Sequence, residues 1–143
     1  MQGLTKDALA AAMGQAGLEI FSTAGSELRL AERVRRHLMD SGVVVAVGEA
    51  TELRLTLRGQ RSDFPTAPET EVYERVRAVH GATLEERGFR EVSAASRTIT
   101  NPVDEAQTLD VWYELTFAKP VSDADSAIED VRWALKVPKC IDP

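Results

Sequence analysis

Side chains that could act as a nucleophile or a general base are few in this chain. The single cysteine, Cys140, lies three residues from the C-terminus beside no histidine. His37 sits among arginines, and His80 falls on the apolar stripe of a predicted helix. A histidine on such a stripe is more typical of a packed residue with a satisfied ring nitrogen than of a general base. The residue types therefore favour a protein without a catalytic set.

Motifs that carry known chemistry are also missing. The sequence has no Gly-x-Ser-x-Gly elbow, no P-loop, no Gly-x-Gly-x-x-Gly and no His-Glu-x-x-His. Asp123 and Asp125 fit the N-terminus of a helix, where the helix dipole favours anions. A calcium loop needs alternating oxygen ligands over a longer stretch than any acidic run here. We therefore expect neither a metal nor a cofactor.

Arginines are concentrated between residues 27 and 61, where seven of them face five acids. Arg29, Arg33 and Arg36 would share one face of a predicted helix at spacings i, i+4 and i+7, which makes them a candidate anion site. A solvated face paired with nearby acids explains the same pattern. The cluster lacks aromatic or amide partners for bases. Because the net charge is -6, we do not expect nucleic-acid binding.

The two tryptophans mark a candidate partner-binding surface. Trp112 alternates with apolar residues along a predicted strand and so falls on its polar face, the expected side of Arg54 and Arg58. Trp133 points away from the apolar stripe of the last predicted helix. Tryptophan is enriched in binding hot spots, although a terminal segment packed over either ring would explain it equally well. The candidate contact residues are Trp112, Asp110, Glu114, Trp133 and Glu129.

Length and composition narrow the class of protein. The chain has 143 residues, of which 43% are hydrophobic and 28% charged, so we expect one soluble domain over residues 1–143. No apolar run approaches the ~18 residues of a membrane span. The N-terminus lacks the apolar stretch of a secretory signal, and one cysteine excludes an intramolecular disulfide. We therefore expect a cytoplasmic protein.

Hydrophobic periodicity predicts the element order α-β-α-β-β-α-β-β-α. The second helix is expected at about residues 26–41, and residues 18–99 would form the βαββαβ order of a ferredoxin-like core. An N-terminal helix and a C-terminal strand and helix would complete an α+β fold with a five-stranded, mainly antiparallel sheet. The predicted core contains Val44, Val45, Leu55, Val76, Val111, Tyr113 and Ile128.

Two functions from different classes fit these observations. In size, acidity and lack of a catalytic set the chain resembles the immunity or antitoxin-like inhibitors of bacteria, a compositional resemblance that assigns no residue. It implies a non-catalytic protein that presents an acidic surface to a protein partner. The alternative is a ferredoxin-like α+β barrel enzyme or ligand sensor, dimeric, with a pocket built from Tyr73, His80, Trp112 and Tyr113. A homodimer is compatible with both.

Overall fold

The computed structural model describes residues 4–143 and shows an α+β fold. Its six strands form one antiparallel sheet in the order β1-β2-β3-β4-β6-β5. The elements are α1 Lys6–Gln15, β1 Ile20–Ser22, β2 Glu27–Val34, β3 His37–Ala46, β4 Glu52–Gln60, α2 Glu69–Glu86, β5 Arg90–Thr100, β6 Thr108–Pro120 and α3 Ala124–Lys136.

The N-terminal helix α1 has a capping residue and an apolar stripe in its sequence. The Thr5 side chain caps α1 by accepting a hydrogen bond from the Ala8 N–H at 3.2 Å. Leu9 and Met13, one turn apart, are fully buried. Gly17 ends the segment with φ +83°, a conformation that glycine adopts without strain. Local capping and periodicity are therefore sufficient to define this element.

The predicted helix at residues 26–41 is wrong, because this segment is the hairpin formed by β2 and β3. Val34 pairs with His37, so Arg35 and Arg36 form a two-residue turn. Arg35 has φ 60° and is the non-glycine residue with positive φ in the described chain. A positive φ at the first turn residue is the pattern of a type II′ hairpin.

This hairpin also changes the topology. A ferredoxin-like order requires a helix between its first two strands. The chain instead passes directly from β1 through β2 and β3 to β4, each antiparallel to the one before. The ferredoxin-like core is therefore not confirmed, and the sheet has six strands where five were expected.

By internal contacts the described chain divides into two compact units. The first runs to Leu55 and includes Ala118–Val137, and the second comprises Thr56–Phe117 and Pro138–Pro143. The single-domain prediction stays a prediction. In the first unit α3 contacts α1 and β3. Its buried side chains include Leu9, Met13, Leu28, Leu30, Val43, Val45, Leu53, Leu55 and Val131.

In the second unit α2 covers one face of the local strands. Tyr73 of α2 lies against Tyr113 of β6, with ring centroids 5.8 Å apart and planes at 74°. The C-terminal end of α2 is capped by Gly88, which has φ +98°, and by Phe89, which is buried beyond it. Other buried side chains of this unit are Leu57, Val72, Val76, Leu84, Leu115 and Phe117.

Most of the predicted core is confirmed. Five of its seven members are buried, namely Val44, Val45, Leu55, Val76 and Tyr113. Val111 and Ile128 are only half-buried. Ile128 is only half-buried because the buried face of α3 is rotated slightly from the predicted one. This face carries Ala127, Val131 and Ala134. Val111 lies towards the start of β6, before its buried positions begin at Tyr113.

Candidate partner-binding site

Three strands of the second unit bring an aromatic and two cationic side chains together. Successive residues of a strand point to opposite faces of the sheet. Tyr113 and Leu115 of β6 are buried on the side of α2, so Trp112 and Glu114 point to the opposite face. On β4, Leu57 and Gly59 are buried while Arg58 between them is half-buried. The alternation predicted for both strands therefore places Arg58 and Trp112 on one face.

The arginines lie close to the indole ring. The Cζ atom of Arg58 is 4.0 Å from the centroid of the Trp112 ring, and the Cζ atom of Arg97, from β5, is 5.0 Å from it. Guanidinium groups at such distances are attracted by the ring quadrupole, with a strength of roughly 0.5–2 kcal/mol per pair. We call Arg58, Arg97, Trp112 and Glu114 the Trp112 patch.

The C-terminal segment holds Arg58 in place. The Arg58 N–H donates to the Lys139 carbonyl at 2.7 Å, and the Ile141 N–H donates to the Arg58 carbonyl at 2.9 Å. Ile141 is buried. The backbone of Arg58 is therefore fixed by the segment that follows α3.

The charge of the Arg58 side chain is not neutralised by a carboxylate. Within residues 4–143, Arg58 forms no ion pair, and its buried Nε atom has no hydrogen-bond partner. Buried donors usually find a partner, and an arginine without a carboxylate remains able to take one from a bound molecule. The guanidinium instead stacks on Trp112 and interacts with the Cys140 thiol.

The two predicted acids near Trp112 are already engaged. Glu114 accepts a hydrogen bond from Arg97 Nε at 3.1 Å. Asp110 accepts from the Ser62 N–H at 3.0 Å and from the Ser62 hydroxyl at 2.6 Å. Burial pushes the Asp110 pKa up, but these bonds, the Val111 N–H and the charge of Arg61 outweigh it and hold the pKa below its ordinary value. The patch is therefore cationic at Arg58 rather than acidic.

Sequence reasoning missed Arg97. The predicted core ends with a strand near residue 99, but a local pattern does not tell which strand pairs with it. A hairpin from β5 to β6 places side chains of the two strands side by side on each face. A predicted register for this hairpin would have identified Arg97 as a neighbour of Trp112.

Trp133 and Glu129 lie on α3, in the first compact unit, whereas Trp112 belongs to the second. Trp133 is half-buried and Glu129 is exposed, and each makes a contact of its own within the chain. The five predicted contact residues are therefore split between the two units. Arg54, which was expected beside Trp112, belongs to the first unit and pairs with Glu52 at 2.8 Å.

The predicted anion site loses its geometric basis. Arg29, Arg33 and Arg36 do not share a helical face, because they lie on β2 and its turn. Arg29 pairs with Glu27 at 3.0 Å, and Arg33 pairs with Glu19 at 2.6 Å. Two of the three charges are thus neutralised locally.

The residues of the alternative ligand pocket are also separated. Tyr73 and Tyr113 pack on the α2 side of β6, and Trp112 points to the other side. The Tyr73 hydroxyl donates to Glu69 at 2.8 Å, and burial together with this bond raises the Tyr73 pKa. Burial, with a smaller contribution from Lys139, lowers the His80 pKa. The four side chains therefore do not converge on one cavity.

The remaining chemical candidates are weak. Burial raises the pKa of the Cys140 thiol, although Arg58 opposes the shift, so little reactive thiolate forms at neutral pH. In the described part of the chain, no group of three or more acidic, histidine or cysteine side chains is placed to hold a metal ion.

None of the helices between residues 4 and 143 is both long and apolar enough to cross a membrane.

The Trp112 patch is therefore the best-defined candidate site, and its assignment rests on the geometry of this chain alone. Comparisons with protein-family models, with curated proteins and with solved structures found no match.

Proposed function

We propose that the protein is a non-catalytic binding protein that contacts a protein partner through the Trp112 patch. The observation that carries this proposal is a half-buried tryptophan on a strand face, with the Cζ atoms of two arginines within 5.0 Å of its ring centroid. Tryptophan and arginine are the residue types that dominate binding hot spots. Their rigid placement before binding lowers the entropy lost on association.

The charges of the patch indicate the chemistry of the partner. Glu114 is engaged by Arg97, whereas Arg58 has no carboxylate partner among residues 4–143. A matching surface would offer an apolar recess for the indole ring and a carboxylate for the Arg58 guanidinium. This differs from the expectation from composition, in which the chain presents acids to a basic partner.

Inhibition of the immunity or antitoxin type is the specific form of binding that we propose. It is supported by the small size of the chain and by the lack of catalytic motifs in the sequence. Such an inhibitor needs only a stable surface that excludes a substrate from its target. Its partner would be the enzyme that it blocks, in the same cell.

The test compares three variants with the wild-type chain. The binding partner is first isolated by affinity capture from the source cells, purified, and titrated calorimetrically. Trp112→Ala should weaken binding by about 2 kcal/mol or more, which is about thirtyfold in Kd. Trp133→Ala tests the second predicted anchor. Val103→Ala is the matched control, because Val103 is 94% exposed in a loop of the same unit as Trp112.

Thermal melting of each variant separates binding from folding. The proposal requires that Trp112→Ala lose affinity while its melting temperature changes little. If Trp112→Ala instead melts earlier and binds as tightly as the wild type, the ring is structural and the contact surface lies elsewhere.

A further inference from the structure

The outer half of the hairpin between β2 and β3 extends beyond the neighbouring strands, and ion pairs of Arg33 with Glu19 at 2.6 Å and of Asp40 with Arg29 at 3.4 Å link it to the rest of its unit. We call residues 32–40 the arm, and all nine are exposed. β1 pairs with β2 at Arg29 and Leu30, and β4 pairs with β3 at Val43–Ala46, so both contacts end before the arm begins. Within the described residues the arm is a two-stranded ribbon with no third strand.

Such a ribbon is costly to maintain without a partner. An isolated two-stranded hairpin is marginally stable in water at best. Arg35 adds strain, since its φ of 60° is a conformation that side-chain-bearing residues rarely adopt. The arm nevertheless exposes three large apolar side chains: Val34 is 49% exposed, Leu38 39% and Met39 48%. Clustered exposed apolar side chains mark interaction surfaces.

The register of the hairpin assigns these side chains to faces. Residues directly opposite each other in an antiparallel pair lie on the same face. The pairs Val34 with His37 and Glu32 with Met39 therefore share one face, which carries two of the three apolar residues. On this face Val34 and His37 lie next to the turn, and Glu32 and Met39 lie at the base.

The charges of the arm are ordered along its length. Arg35 and Arg36 occupy the turn, and Glu32 lies at the base. None of these three forms an ion pair within residues 4–143. The arm thus has a cationic tip and, at its base, the Glu32 carboxylate beside Met39, with Val34 between the two ends on the same face. Two copies that run in opposite directions are therefore complementary in charge.

We propose that the arm is a homodimer contact, in which the arms of two chains pack face to face and antiparallel about a two-fold axis. The arginine tip of each arm lies against the base of the other, where Glu32 and Met39 are paired, and the two Val34 side chains pack together nearer the two-fold axis. An isologous contact of this kind uses the same patch on both subunits. It covers the exposed apolar side chains and provides carboxylates for the turn arginines.

The size of the arm sets the strength of the contact. A stable interface buries about 800 Å² per partner. Only one face of the nine-residue arm takes part in the proposed contact. The dimer should therefore be reversible and should dissociate on dilution. Sedimentation equilibrium of the full chain over a range of concentrations measures its Kd.

An apolar-to-acid substitution tests the centre of the contact. Val34→Asp should raise the dimer Kd by about tenfold or more, because it brings two like charges together near the two-fold axis. Val103→Asp is the control, because it places the same charge on a more exposed valine in a separate loop, and it should leave the Kd unchanged. A wild-type chain that is monomeric at every concentration, or a Val34→Asp chain that dimerises as well as wild type, overturns the proposal.

Charge reversal tests the antiparallel arrangement. Arg36→Glu and Glu32→Arg should each abolish dimerisation, because each places like charges opposite one another at both ends of the contact. An equimolar mixture of the two variants should restore a heterodimer, since glutamate at 36 then faces arginine at 32. If both variants are monomeric and their mixture stays monomeric, the arms do not pair in this way.

Discussion

Gly59 of β4 is a position where a single methyl group should disturb the strand that carries Arg58. A Cβ atom added at Gly59 would overlap Cγ1 of Val72 and lie 3.6 Å from two side-chain carbons of Ile141. Val72 belongs to α2 and is fully buried, and Ile141 belongs to the segment that hydrogen-bonds to Arg58. The helix and this segment therefore approach the strand closely because glycine lacks a side chain.

The expected effect of Gly59→Ala combines two opposing contributions. Replacing glycine with alanine restricts the unfolded chain and stabilises the fold by about 0.4–1 kcal/mol. Overpacking a core costs typically about 1–3 kcal/mol, and Val72 is fully buried. The net loss should be about 1–2 kcal/mol, or a fall in melting temperature of several degrees.

Urea denaturation followed by circular dichroism measures this loss. Gly14→Ala is the matched control, because a Cβ there meets no atom within 4 Å and Gly14 lies inside α1. It should stabilise the protein by about 0.5–1 kcal/mol. Combining Gly59→Ala with Val72→Ala should cost less than the sum of the two single changes, since the overlapping carbon is gone. A Gly59→Ala protein as stable as wild type would refute the close approach.

Three further outcomes are expected. Val76→Asp should prevent folding, because an unpaired charge at a fully buried position costs several kcal/mol, and circular dichroism should show no cooperative melting. The folded state holds the Asp110 pKa below its ordinary value of 3.8, so the stability from its bonds to Ser62 is complete above that pH and is lost as the pH falls further. Denaturation between pH 2 and 6 should therefore show less acid destabilisation in Asp110→Asn than in wild type. Cys140 should react with a thiol reagent at neutral pH far more slowly in the folded protein than in urea, because burial raises its pKa.

Elements whose signals are local can be worked out from the sequence. The α1 helix has its cap at Thr5 and its apolar stripe, and α2 ends at Gly88 with φ +98°. The strict alternation along β6 predicted both its buried face and the position of Trp112 opposite to it. In each case a hydrophobic period or a capping residue within about a dozen residues is sufficient to predict the element.

The hairpin at residues 27–46 could not be predicted in the same way. Leu30, Val34 and Leu38 fit a helical stripe, yet in the structure Leu30 is buried and the other two are exposed on the arm. A strand in a sheet is stabilised by hydrogen bonds to another strand, so its local pattern is ambiguous when only half of it reaches a core. The register of β2 on β3 decides the outcome.

The composition of the candidate site depended on the tertiary structure for the same reason. Trp112 could be singled out from its place in an alternating strand, but its neighbours lie on two other strands. Arg58 comes from 54 residues earlier, and Arg97 comes from 15 residues earlier across a hairpin. Alternation along one strand tells which face a residue occupies, whereas only strand order and register decide which side chains meet on that face.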